Sequence, residues 1–183
     1  MRQKRKPSPE AAKTRVKSTL KAKRPKPPPW SLDKPVPVTS TPPGGYSSAL
    51  RSHLCFCLYK TAIRLRALLD QSFLDFGLIA PQFGVLSVVE NNGPMSQIDI
   101  SQKMSIDKAT MVKLIDGLEA RNYVRRTPHP QDRRVRMVEI TAPGRNVYSK
   151  MFSEAKKIEV SFTARLTDDE RATLHQLTAR LLE

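Results

Sequence analysis

The sequence has too little of several features on which large classes of proteins depend. It has only two cysteines among 183 residues, which is too few for a disulfide framework. It has no apolar run near the ~18 residues that cross a bilayer, and its N-terminus lacks the apolar segment of a secretory signal. These absences predict a soluble, cytoplasmic protein without a membrane partner.

Catalytic patterns are missing as well. The sequence has no glycine-rich phosphate loop, no nucleophile elbow, no H-E-x-x-H motif and no plausible pair of carboxylates. His53, Cys55 and Cys57 are close together, but on a helix Cys55 would point away from the other two, so one metal ion could not bind all three. We therefore expect no enzymatic activity, no metal and no cofactor.

Acidic residues are scarce and basic residues are abundant. The chain has 32 Lys/Arg against 17 Asp/Glu, a formal net charge of +15. Residues 1–46 have twelve Lys/Arg and two acids, and the remainder has twenty and fifteen. Clustered positive charge indicates a polyanionic partner, and nucleic acid is favoured over an anionic membrane surface.

Residues 1–46 are predicted to be a disordered, basic, proline-rich tail. They contain ten of the fifteen prolines and only scattered apolar residues, so they cannot bury enough apolar area to offset the entropy of ordering. The tail is either an inert solubilising segment or an arm that adds phosphate contacts when the folded part binds DNA.

The rest of the chain, residues 47–183, is predicted to be one mainly α domain with a small β-hairpin. Apolar residues at helical spacing predict a long helix over 48–73, a second helix over 80–91, and two more helices after Thr141 and Thr167. We expect residues 47–75 and 143–183 to form a helical dimerisation region, since one small lobe offers too few partners for their leucines.

Between these helical regions, residues 80–141 fit a winged helix-turn-helix. Ser96 is predicted to cap a short helix through Met104, on which Ile98, Ile100 and Met104 face the core. Asp107 is predicted to cap a third helix through Arg121. In such a motif the third helix enters the major groove of DNA. Its core face would be Met111, Leu114, Ile115 and Leu118, which leaves as candidate DNA contacts Lys108, Ala109, Thr110, Val112 and Lys113.

After Asn122 the apolar period changes toward two, which predicts a hairpin with a charged tip. Arginine at such a tip suits a narrow minor groove. The candidate DNA contacts are Arg125, Arg126, Arg133, Arg134 and Arg136. Asp132 is predicted to orient Arg134 through a charge-assisted pair.

Several segments of the sequence resemble the MarR family of regulators. They are PQFGVL at 81–86, ISQKMSIDKAT at 100–110, LEARNYV at 118–124, the D-x-R pattern at 132–134 and EITAPGR at 139–145. The resemblance spans roughly residues 48–183. It implies a homodimer that binds an inverted-repeat operator on double-stranded DNA, most often a repressor. It also implies release by a small aromatic ligand bound between the dimer helices and the DNA-binding lobe.

Three positions within this resemblance are of special interest. Asn122 stands where the family usually has glycine, and Asn accepts a positive φ. Cys55 and Tyr59 are similar to the peroxide-reactive pair of the organic-hydroperoxide sensors in this family. Cys55 is then either a redox sensor or, with Cys57, a buried structural cysteine.

The function hypotheses are a sequence-specific transcriptional regulator, a non-specific architectural DNA-binding protein, and a small enzyme. A thiol-based, peroxide-sensing repressor of the same fold is a variant of the first. Base-edge residues on the third helix favour the first over the second, and the missing catalytic patterns weigh against the third.

Overall fold

The computed structural model describes residues 34–35, 41–132 and 135–183. Most of the predicted tail, together with Arg133 and Arg134, lies outside these residues, so the predictions made for them are not tested. The described part is mainly helical with one small sheet, as the sequence predicts.

The first predicted helix is present but is interrupted. α1 spans Ser48–Arg51 and α2 spans Leu54–Phe73. The break has a local cause. The Ser52 hydroxyl donates to the carbonyl oxygen of Ala49 at 2.7 Å, and His53 is extended at φ −93° and ψ 114°. Side-chain bonding of serine to nearby backbone competes with the helix in this way.

A 3₁₀ turn, Leu74–Phe76, ends α2 and leads through Gly77, at φ 65°, into α3 (Ala80–Asn92). The N-terminus of α3 is bonded to α2 through Asp70, which is 1% exposed. One oxygen of Asp70 accepts from the Ala80 amide at 2.7 Å, and the other accepts from Arg66 Nε at 3.0 Å. This carboxylate therefore fixes the corner between the two helices.

The predicted helix-turn-helix is present, with both of its predicted caps. α4 spans Gln97–Lys103, where Ser96 Oγ accepts from the Asp99 amide at 3.1 Å. α5 spans Lys108–Glu119, where Asp107 Oδ1 accepts from the Thr110 amide at 3.0 Å. Each cap satisfies an amide that has no partner within its helix.

The hairpin is also present, and it belongs to a three-stranded antiparallel sheet. β2 spans Val124–Pro128 and β3 spans Arg136–Ile140, with Val124 opposite Ile140 and Pro128 opposite Arg136. A two-residue strand, β1 (Met95–Ser96), pairs with the other side of β3 and gives the order β1-β3-β2. β1 was not predicted, because two residues are too few to show a period.

Two helices complete the chain, and they begin after Thr141 and Thr167 as the sequence predicts. α6 spans Ala142–Phe162 and is capped by Thr141, whose Oγ1 accepts from the Gly144 amide at 3.1 Å. α7 spans Asp168–Arg180 and begins with a capping box between Thr167 and Glu170.

The core lies among α3, α4, α5, the sheet and the first half of α6. Met111, Leu114, Ile115 and Leu118 of α5 are each at most 1% exposed, as predicted. Ile100 of α4 is buried as predicted, but Ile98, which was also expected to face the core, is 50% exposed. No residue of α7 is buried in the described structure.

Within the described ranges, no single helix is long and apolar enough to span a membrane. Only together do the segments Leu54–Phe76 and Ala80–Asn92 have the length and apolar composition of a membrane span, and they are bent by 78° relative to each other.

Candidate nucleic-acid interface

α5 presents a polar and small-residue face away from the core. Lys108, Ala109, Val112 and Lys113 are exposed, and Thr110 is half-buried. Val112 is 38% exposed. The exposed face contains a cationic group, a methyl-bearing side chain and an alanine that allows close approach. These are groups that can contact phosphates and base edges.

The N-terminus of this helix is held by a carboxylate. The pKa of Asp107 is lowered from its ordinary value of 3.8, because the Thr110 amide and then the Thr110 side chain donate hydrogen bonds to it. An ionised cap also interacts favourably with the positive end of the helix dipole. The first turn of α5 is therefore fixed at the end that a major groove would receive.

Ser101 makes two hydrogen bonds across the turn between α4 and α5, a role that the sequence analysis did not assign to it. Ser101 Oγ donates to the carbonyl oxygen of Ile106 at 2.5 Å, and the Ile106 amide donates to the Ser101 carbonyl at 3.0 Å. Ser105, between them, has a φ of 50°. These two hydrogen bonds hold the turn between α4 and α5.

Two neighbouring arginines of β2 have different surroundings. Arg125 is 62% exposed and pairs with Glu139 on β3 at 2.9 Å. Arg126 is 22% exposed and is turned toward the helices, where it pairs with Asp116 at 2.6 Å and with Glu119. Partial burial lowers the pKa of Arg126, but the hydrogen bonds and charges of Asp116 and Glu119 outweigh it and raise that pKa above the ordinary value.

The far end of the hairpin is organised by a histidine. His129 Nδ1 accepts from the amides of Gln131 and Asp132, each at 3.2 Å. Arg136 is exposed at the base of this turn. Because Arg134 is outside the described residues, its pairing with Asp132 remains a prediction. The sequence analysis did not assign this role to His129, although a neutral imidazole can accept a hydrogen bond through its unprotonated nitrogen.

The joint between the hairpin and α6 is compact. Thr141 Oγ1 donates to the Asn122 carbonyl at 2.6 Å, and Asn122 has the expected positive φ, at 58°. A Cβ on Gly144 would lie 1.9 Å from the carbonyl oxygen of Tyr123. The E-I-T-x-x-G segment therefore brings the start of α6 into direct backbone contact with the strand entering the hairpin.

An aromatic cluster lies where α2, α3 and α6 meet, between the predicted dimer helices and the DNA-binding lobe. Phe83 contacts Phe73 with ring centroids 5.3 Å apart and stacks on Tyr148 at 5.5 Å. Tyr148 contacts Phe152 at 6.0 Å, and Phe152 is 46% exposed. A separate open groove of about 890 Å³ lies among α2, α6 and α7, with Arg64, Phe162 and Leu174 in its wall.

The two cysteines are near the start of α2. Cys55 is exposed and Cys57 is half-buried, with its thiol bonded to the Arg51 carbonyl at 3.3 Å. The structural alternative expected both to be buried, and the exposure of Cys55 departs from that. Tyr59, its predicted partner, is 48% exposed. In the parts of the chain that the structure describes, no three His, Cys, Asp or Glu residues are grouped to hold a metal ion.

Comparison with known sequences gives consistent matches. The model of the MarR family matches residues 78–135. A Thauera aromatica protein named for regulation of the hcr operon is 32% identical over 57% of this chain and 63% of its own length. The transcriptional repressor NicR of Pseudomonas putida is 29% identical over 69% of this chain and 80% of its own length.

Comparison with solved structures agrees. BpsR of Bordetella bronchiseptica, a protein whose DNA binding is regulated by 6-hydroxynicotinic acid, superposes with a TM-score of 0.68 and 28% identity. The match covers 76% of this chain and 99% of BpsR. The transcriptional repressor CouR, solved on a 23-mer DNA duplex, gives a TM-score of 0.67 at 26% identity, over 74% of this chain and 96% of CouR.

Proposed function

The chain belongs to the MarR family of winged helix-turn-helix regulators, and on that premise we propose that it is a homodimeric, sequence-specific repressor that binds double-stranded DNA. The observation that carries the proposal is the capped helix α5. Each residue of its apolar face is at most 1% exposed. Lys108, Ala109, Val112 and Lys113 are exposed beside an arginine-rich hairpin. A helix and a hairpin arranged in this way can occupy adjacent major and minor grooves.

The dimer is supported by apolar surface that one chain leaves uncovered. On α7, Leu174 and Leu177 are 42% and 50% exposed, and its C-cap Leu181 is 70% exposed. On α2, Leu54 is 70% exposed. Large apolar side chains left exposed in this number favour an interface. A second copy can cover it symmetrically and place one α5 on each half of an inverted repeat.

Base recognition is assigned to Thr110, Val112 and Lys113, with Lys108 and Ala109 at the phosphate backbone. A lysine reads guanine or a phosphate, and a valine methyl contacts the methyl group of thymine. Arg125 and Arg136, with Arg133 and Arg134, are proposed to contact the minor groove and its phosphates.

The experiment selects bound sequences from a random DNA pool and titrates the selected and scrambled duplexes. We expect the parent to prefer the selected duplex by about 10³-fold or more. Val112→Ala and Lys113→Ala should change which bases are selected. Arg136→Ala should instead weaken binding to all sequences to a similar degree. A parent that binds the selected and scrambled duplexes equally would instead be an architectural DNA-binding protein.

A small aromatic ligand is proposed to release the DNA by binding at the cluster of Phe83, Tyr148 and Phe152. The cluster joins α3 of the DNA-binding lobe to α6, so a ring inserted there would change the angle between lobe and dimer helices. Titration of a labelled operator complex with 6-hydroxynicotinic acid and benzoate tests this. Tyr148→Ala should lose the response and keep DNA binding, while Tyr46→Ala serves as the aromatic control. If none of the acids releases DNA from the parent, the ligand proposal fails.

Thiol sensing is the second candidate, because Cys55 is exposed and an oxidant could therefore reach its thiol. A stoichiometric organic hydroperoxide should then release DNA from the parent and from Cys57→Ser, but not from Cys55→Ser. Equal release from all three proteins, or from none, would reject it.

A further inference from the structure

Arg126 connects all three pieces of the candidate DNA-binding surface. It lies on β2 of the hairpin, and its Nη2 donates to Asp116 Oδ1 on α5 at 2.6 Å and to Gln97 Oε1 on α4 at 3.5 Å. Its Nη1 donates to one oxygen of Glu119, whose other oxygen accepts from the Arg126 amide at 3.0 Å. Four hydrogen bonds therefore join one strand residue to both helices of the helix-turn-helix.

The neighbouring Arg125 is a natural comparison. Successive side chains of a strand point to opposite faces, and Arg125 accordingly points away from the helices, with its partner Glu139 inside the hairpin itself. The Arg125 pair thus joins β2 to β3, whereas the Arg126 bonds join the hairpin to α4 and α5.

We infer that Arg126 is a positioning residue, which holds the hairpin at a fixed distance from α5 instead of contacting DNA itself. This inference rests on the proposed DNA-binding function. The guanidinium donors are directed at acids and an amide of the protein, and the side chain is only 22% exposed. A bidentate arginine is suited to such a role because its planar fork has fixed donor directions.

The bonds also affect the charge that DNA would meet. Asp116 lies on α5 and is 55% exposed, so on its own it would repel phosphate. Arg126 pairs with Asp116 and Glu119 at once and offsets one of their two negative charges. The hairpin and α5 can then approach two grooves of one duplex with a fixed separation between them, as tight recognition requires.

The substitution Glu119→Gln distinguishes two interpretations of Arg126, because they predict opposite changes in operator affinity. If Arg126 positions the hairpin, Glu119→Gln weakens the bonds, and operator affinity falls roughly 5- to 100-fold, the range expected for lost groove contacts. If Arg126 contacts phosphate, Glu119→Gln removes a negative charge, frees the guanidinium and tightens binding.

The experiment titrates the selected operator with the parent, Glu119→Gln, Arg126→Gln and Arg126→Lys, with Glu139→Gln as the matched control. Glu139→Gln also removes one acid from an arginine pair of the hairpin, and it should bind as tightly as the parent or tighter. Arg126→Lys should recover part of the loss, because one ammonium can still reach one of the two acids. Hydroxyl-radical cleavage should show minor-groove protection lost in Arg126→Gln, while guanine N7 in the major groove stays protected from methylation by dimethyl sulfate.

A second measurement does not depend on DNA. Amide hydrogen exchange of β2 and β3 in the free protein should become about tenfold faster in Glu119→Gln than in Glu139→Gln, with α2 and α6 unchanged. Tighter binding by Glu119→Gln, or exchange equal to that of the control, would overturn the positioning role. A parent that shows no preference for any duplex would instead overturn the proposed function, and the two failures are therefore distinguishable.

Discussion

At the scale of single residues, Gly144 is a position that admits no side chain. The nearest atom to a Cβ there would be the Tyr123 carbonyl oxygen at 1.9 Å, and backbone cannot give way as a flexible side chain can. Gly144→Ala should therefore lower the free energy of unfolding by about 3 kcal/mol. Chemical denaturation measures this.

Gly84→Ala is the control for that variant. Gly84 is in α3, and its added methyl would meet only the flexible end of Met104, at 2.7 Å. Alanine also favours a helix by about 1 kcal/mol over glycine, so Gly84→Ala should cost much less. Equal losses for the two variants would show that the contact at Tyr123 has no special importance.

Asp107 gives the DNA-binding lobe a pH dependence of known sign. Its folded pKa is depressed below 3.8 by the Thr110 hydrogen bonds, so its cap contributes stability above the unfolded pKa and loses it as pH falls through the folded value. Carbon NMR of the Asp107 carboxyl should give a midpoint below 3.8. Asp107→Asn keeps an acceptor but should remove that part of the acid sensitivity. A midpoint at or above the ordinary value would contradict the capping account.

At the scale of elements, the sequence predicted those features that depend on local period and capping. The buried face of α5 follows from apolar residues three and four apart, and the caps at Ser96 and Asp107 follow from their side chains. The direction of Arg126 does not follow, because its acids are seven and ten residues away along the chain. They meet it only when the hairpin folds back on α5.

Two differences between the predicted and the observed helices have local physical causes that the apolar period of the sequence does not show. Ser52 bonds back to Ala49 and interrupts the first helix. Ile98 has the spacing of a core residue, but Ile100 is the one that α4 buries, since a helix of seven residues can present only one narrow face.

α7 is the element that we expect to depend most on a second chain, because none of its residues is buried. Leu177 is 50% exposed on a helix without any buried residue, so a charge there should prevent a partner from covering it. Light scattering should give twice the chain mass for the parent at micromolar concentration and the mass of one chain for Leu177→Glu. Ile98, also 50% exposed but on α4, gives the control Ile98→Glu, which should stay dimeric. A monomeric parent would contradict the proposed assembly.

At the scale of the whole molecule, we propose that the basic residues 1–33 add affinity for DNA without adding base specificity. Residues 1–33 contain eleven Lys/Arg, and each phosphate that they neutralise should steepen the log–log salt dependence of binding by about 0.9. Deleting residues 1–33 keeps Lys34, whose carbonyl accepts from Arg66 at 3.0 Å. The deletion should reduce the salt slope by several units and leave base preference unchanged. Identical slopes for the two proteins would mean that the tail does not touch DNA.

The central claim is that two copies of α5 read one symmetric DNA site. A hydroxyl-radical footprint on the selected duplex tests it most directly, because it reports symmetry and groove contacts together. We predict two equivalent protected half-sites related by a twofold axis, with centres about one helical turn apart and minor-groove protection where each hairpin lies. Protection that is uniform along the duplex, or confined to a single half-site, would contradict the account.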